Sequence, residues 1–140
     1  MANRVVPSSV PVSASSTGAA GSVVAIIGAN ANVGRTVHAS GFVYQTGGAT
    51  AIGNVTITMS YTPATGALVT LGTWVYVQNA GATASNPAYE VNCIPPMQSP
   101  QPITGTTNGT TGTPIGSITI QATAGAGTTN AALSLWGFLL

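Results

Sequence analysis

The sequence predicts an all-β protein, an antiparallel β-sandwich of jelly-roll-like form with seven or eight strands. Three observations predict it. No stretch longer than a turn places apolar residues at helical spacing. Several segments instead alternate apolar and polar residues with a period of two, the pattern of a strand with one buried face. Turn-rich segments separate them, in a chain of 140 residues with 18 glycines, nine prolines and 21 threonines. Gly and Pro are poor inside helices, and Thr suits strands. Short strands punctuated this way build sandwiches and jelly rolls.

Residues 1–21 are rich in Ser, Ala, Val, Pro and Gly without periodicity. They are expected to form an extended N-terminal arm outside the core, leaving 22–140 as a single sandwich domain. Residues 22–27 (SVVAII) are a short apolar strand. Residues 36–45 place Val37, Ala39, Gly41 and Val43 on one face and His38, Phe42 and Tyr44 on the other. The clearest alternation is VTITMSY, with Val55, Ile57, Met59 and Tyr61 pointing one way and Thr56, Thr58 and Ser60 the other. Pro63, Thr65 and Gly66 supply a turn, and residues 67–78 return as the antiparallel partner. Residues 88–94 (AYEVNCI) read as a strand that Pro95 and Pro96 stop, because proline cannot donate to a ladder. Residues 97–114 are mostly loop, and 115–123 alternate again through Ile118 and Ile120. The closing segment, 131–140, sets Leu133, Leu135 and Leu139 on one face and Trp136, Phe138 and Leu140 on the other. Both faces are apolar. Such a strand lies between two packed layers, or its second face meets another subunit.

Composition narrows the function. Only Arg4, Arg35 and Glu90 carry full charge, and the net charge is +1. Charged residues make up 2% of the chain, against about 25% in ordinary soluble domains. Disorder does not explain this, because disordered chains are polar and highly charged, whereas 44% of this one is apolar and its mean hydropathy is +0.40. A domain of this length buries roughly 70% of its unfolded surface, enough for a real core. Two arginines cannot neutralise a nucleic-acid backbone or form a polybasic membrane patch. The longest purely aliphatic run, Val23 to Ile27, is far short of the roughly 20 residues a membrane-spanning helix needs. Pro7 and Pro11 interrupt the start of the chain before a signal-peptide core could form. Neither nucleic acid nor membrane is therefore an expected partner. Monomeric β proteins guard their sheet edges with charges, above all Lys, and this chain has no Lys. Edges and apolar faces are expected to be covered by neighbouring subunits, which makes the protein a homo-oligomer.

Catalytic equipment is sparse. Glu90 is the only acidic side chain, so paired-carboxylate chemistry within one chain is excluded. Divalent-cation sites want several carboxylates, and Cys93 is the only cysteine, so no metal site, disulfide or cofactor is expected. His38 with a serine or with Cys93 could form a nucleophile–base pair, but no signature surrounds either residue. The bland alternatives are a histidine beside the aromatic face of Phe42 and Tyr44, and a small buried thiol. The segment Gly28–Thr36 (GANANVGRT) has the look of a phosphate loop. It has the wrong glycine spacing, Arg for Lys and no helix after it, and reads as a loop between strands. Asn54 and Asn108 open glycosylation-type triplets of the kind that arise by chance in a Thr-rich chain, and Asn108-Gly109 reads better as a turn. Arg35 and Glu90 are candidates for an ion pair between strands or subunits. With Trp136, Phe138 and Leu140 they make up the candidate interface residues.

The block GAAGSVVAIIGANANVGRTVHASGFVYQTG, the strand NVTITMSY and the closing NAALSLWGFLL give the chain a resemblance to capsid decoration (cement) proteins of tailed bacteriophages. The resemblance is one of style across most of the chain and carries over no functional residue. It implies a jelly roll or similar sandwich, commonly trimeric, that grips the major capsid protein at junctions between capsomers on the virion exterior and is made in the host cytoplasm. Rival readings are a tail, fibre or spike domain, a small hydrolase, and a carbohydrate-binding adhesion module. The last needs an exposed aromatic platform, for which Trp74, Tyr76, Tyr89 and Tyr44 are the candidates.

Overall fold

Eight strands form two antiparallel four-stranded sheets. A computed structural model describes residues 9–19, 23–45, 55–76, 92–124 and 130–140. The strands are β1 (Val10–Ala19), β2 (Val23–Ile27), β3 (Val37–Gln45), β4 (Val55–Tyr61), β5 (Val69–Tyr76), β6 (Asn92–Gln98), β7 (Ile118–Ala124) and β8 (Asn130–Leu139). Sheet A has the order β1-β8-β3-β6 and sheet B the order β2-β7-β4-β5. First strand pairs with last, second with seventh, third with sixth and fourth with fifth. The chain is thus one long hairpin, with β4 and β5 at its tip, whose successive strand pairs fall alternately in the two sheets.

The alternation read from the sequence sets the inward faces. Val37 and Ala39 of β3, Ile57 and Met59 of β4, Ile118, Ile120 and Ala122 of β7, and Leu135 and Leu139 of β8 are buried in one cluster fed by both sheets. Thr58, on the opposite side of β4, is only partly buried, as a strand with one wet face requires. Leu135→Ala removes a side chain that is 1% exposed from the middle of this cluster. It should cost about 3 kcal/mol and lower the urea midpoint without changing the slope of the transition.

Two expectations need correction. Residues 10–19 do not lie in an arm outside the core. They form β1, a ten-residue strand at the edge of sheet A, with Val10, Val12 and Ala14 packed against the core and Pro11, Ser13 and Ser15 exposed. The domain therefore begins by Val10. The alternation was there, but with Ala14 and Ser16 at its inward positions it has little hydrophobic contrast. The second correction concerns Pro95 and Pro96, which do not stop a strand but lie inside β6. β6 is the other edge of sheet A, where a proline lacks only a hydrogen bond that solvent would otherwise take. The register across to β3 jumps there: Met97 pairs with Ala39 and Ile94 with Gly41. Two prolines thus oppose the single residue Ser40, a bulge that absorbs them.

One end of the sandwich is closed by loops locked through side chains. Asn108 is buried; its Nδ2 donates to the carbonyls of Pro63 (2.8 Å) and Gly66 (3.0 Å), and its Oδ1 accepts from the amides of Thr110 (2.7 Å) and Thr111 (3.2 Å). The Asn108-Gly109 turn is as expected, and its side chain also ties two loops together. Beside it, the Thr62 hydroxyl lies 2.8 Å from that of Thr113 and 3.0 Å from that of Ser117, and Gln101 Nε2 donates to the Thr62 carbonyl at 3.0 Å. Buried polar groups are tolerated here because they satisfy one another. Gly28–Thr36 is a loop between β2 and β3 with a three-residue 3-10 turn at Asn30–Asn32, and a strand rather than a helix follows it.

Candidate functional site

The outer face of sheet A gathers the residues with the most to offer a ligand or partner. β8 runs between β1 and β3 in this sheet, and its odd residues Leu135 and Leu139 turn inward. Strand alternation then sends Trp136 and Phe138 outward, where they are 47% and 43% exposed. The register sets their neighbours. Opposite Phe138 stand Pro11 of β1 and His38 of β3, and opposite Trp136 stand Ser13 and Ser40. Gln98 of β6 pairs with His38 in turn. Four strands therefore bring together side chains that lie up to 127 positions apart in the chain.

His38 and Phe138 stack with ring centroids 5.1 Å apart and planes 9° from parallel. Next to this pair a slot of about 370 Å³ opens, lined by Trp136, Phe138, His38, Ser40, Pro96 and Gln98 among others. The bulge at Pro95-Pro96 supplies its far wall. A second, more open groove of about 350 Å³ lies on the other side of Trp136, against Pro11, Val12 and Ser13. Trp136 thus borders both depressions. Neither contains an Asp, Glu, Lys or Arg. The His38 Nε2 is shielded from solvent and, among the described residues, has no hydrogen-bond partner. A polar group left in that condition costs about 1–3 kcal/mol.

The sequence-derived candidates are distributed as follows. Trp136 and Phe138 stand on this face, and Leu140, 46% exposed, ends the same strand line, with its backbone exchanging hydrogen bonds with Thr36 at 2.9 and 3.0 Å. Trp136, Phe138 and Leu140 are thus all exposed, at 47%, 43% and 46%. Arg35 is half-buried at the same end of the sheet, with its Nη1 3.5 Å from the Leu139 carbonyl. Glu90 lies outside the described residues, and so does any pair it makes with Arg35. The side chains of Phe42, Tyr44 and Cys93 also lie outside them. The stacking partner of His38 is Phe138, which sequence reasoning did not pair with it.

Of the four candidates for an exposed aromatic platform, only the Trp74 side chain lies among the described residues. Trp74 is half-buried and packs against the core, and its indole lies over Gly72. Tyr76, Tyr89 and Tyr44 have side chains outside the described residues. Among the described residues, Trp136 and Phe138, with His38 stacked on Phe138, form an exposed aromatic group. Its one sequence signal was the doubly apolar closing strand. Among the described residues, no group of three or more His, Cys, Asp or Glu side chains comes together, and no helix is long and apolar enough to cross a membrane. No family model matches this chain, and no curated protein or solved structure compared with it does.

Proposed function

We propose that this chain is a structural virion protein that decorates a phage capsid and stabilises it by bridging neighbouring capsid subunits. The observation that carries the proposal is the unguarded edge of sheet B. β5 is eight residues long and contains no proline and no charge. Among the described residues no strand pairs with its outer side. Val69 and Val75 on it are 42% and 57% exposed, and Leu68 just before it is exposed as well. The other edges are treated differently. β6 carries two prolines and a bulge. β1 has Pro11, and β1 and β2 lie against each other. An open, apolar edge invites pairing with another chain, and natural monomers avoid it. In a subunit built to be packed, the same edge is the means of attachment.

The strand order supports the same reading. Two antiparallel four-stranded sheets with first strand paired to last, second to seventh, third to sixth and fourth to fifth support a jelly-roll reading, an architecture used by viral capsid domains and also by lectins. The mechanism is mechanical. Each 100 Å² of apolar surface covered against a neighbour contributes about 2.5 kcal/mol before association costs. Repeated over a shell, such contacts favour the assembled state by mass action.

The test is location. Density for this chain on the capsid exterior, and loss of genome from heated particles when its gene is deleted, are the expected results. Density at a tail or fibre tip would favour the rival virion reading, and absence from particles would contradict both. Val69→Lys combined with Val75→Lys should lower the copies bound per particle by at least about tenfold. Both side chains are exposed, so the melting temperature should move by no more than a few degrees.

A further inference from the structure

We propose that the slot on the outer face of sheet A binds a neutral carbohydrate, with Trp136 as its stacking wall. The chemistry of the lining selects this class. Ligand sites are concave, mostly apolar, and hold a few placed polar groups. This slot has the indole of Trp136 on one side, the Phe138–His38 stack and Pro96 around it, and the polar side chains of Ser40 and Gln98 to read a ligand. A sugar ring presents a C–H face to an aromatic plane and hydroxyls at its rim. An anionic ligand would find no Arg or Lys among the lining residues, and a cation no carboxylate. The open groove across Trp136, with Ser13 on its floor, allows a chain of sugars to run over both sides of the indole.

This site does not rest on the virion reading. It occupies sheet A, whereas attachment is assigned to the β5 edge of sheet B.

The test is titration of the intact protein with maltohexaose, cellohexaose and chitohexaose, followed by backbone amide shifts and tryptophan fluorescence. At least one is expected to give saturable changes centred on His38, Ser40, Gln98 and Trp136. Trp136→Ala should weaken that binding by about tenfold or more, and Gln98→Ala by a smaller factor. Trp136 is exposed on a sheet face, and an unchanged amide spectrum elsewhere would establish that the variant is folded. The Val69→Lys/Val75→Lys protein should bind sugar normally, which separates the two sites. Three results would overturn the proposal: no saturable change with any of the three sugars, equal binding by Trp136→Ala, or a drop in oligomer mass in Trp136→Ala, which would assign the face to a subunit contact.

Discussion

Gly137→Ala should be the most damaging single-methyl change among the described glycines. Gly137 stands between Leu135 and Leu139 in β8, opposite Val12 on one side and Ala39 on the other. A Cβ placed there would collide with the His38 carbonyl oxygen, and it would come within 2.9 Å of the Ala39 Cα. The obstacle is backbone in a paired strand, so it cannot swing away as a side chain end could. The sheet must open between β8 and β3 or lose pairing there. Overpacking of a core costs about 1–3 kcal/mol when side chains can yield, and a backbone collision should exceed the top of that range. The expected outcome is a melting temperature lower by more than about 10 °C, or protein recovered only as aggregate. Gly41 of β3 meets the Ser134 carbonyl in the same way. The two strands that carry His38 and Trp136 thus approach closely because each has a glycine facing its neighbour's backbone. Gly137→Ala protein that melts like the wild type would show that this close approach does not hold the fold.

Asn108→Ala should come next. The substitution removes two donors to loop carbonyls and one acceptor shared by two amides, all within a buried side chain. Each group left without a partner costs about 1–3 kcal/mol unless water reaches it. Some will be rehydrated at this end of the sandwich, so a net loss of about 3 kcal/mol is expected, near 10 °C in melting temperature. Asn108→Asp sharpens the test. It keeps the acceptor to Thr110 and Thr111 but turns the donor into an oxygen facing the carbonyls of Pro63 and Gly66. It should be no better than Ala, and if it recovers most of the stability then the two carbonyl contacts are not the source of the effect.

These two residues also mark how far the sequence could be read. The period-two pattern identified β4, β7 and β8 and the inward set Ile57, Met59, Ile118, Ile120, Leu135 and Leu139, because large apolar residues alternate with polar ones there. It failed where the contrast is low, in β1, whose inward positions include Ala14 and Ser16. It also failed in β6, where a local rule about proline was overridden by the strand's position at an edge and by a bulge opposite Ser40. Gly137 and Asn108 look like any other glycine and asparagine in a chain full of both. What sets them apart is a neighbouring strand and two distant loops. The slot was illegible for the same reason. It needs residue 38 beside residue 98 and residue 40 beside residue 136, and register across a sheet is not written in any one segment. The closing strand gave the only hint, since a strand apolar on both sides must have something to meet on each.

The central claim is that a chain with so few charges keeps its open edge dry by joining it to other chains. Light scattering of the purified protein at micromolar concentration tests this most directly. A stable homo-oligomer is expected, with a trimer favoured by the resemblance to decoration proteins, and the Val69→Lys/Val75→Lys protein should lose that mass while remaining folded. A wild-type chain that stays a well-behaved monomer, with β5 amides exchanging as freely as those of an unpaired strand, would contradict the account.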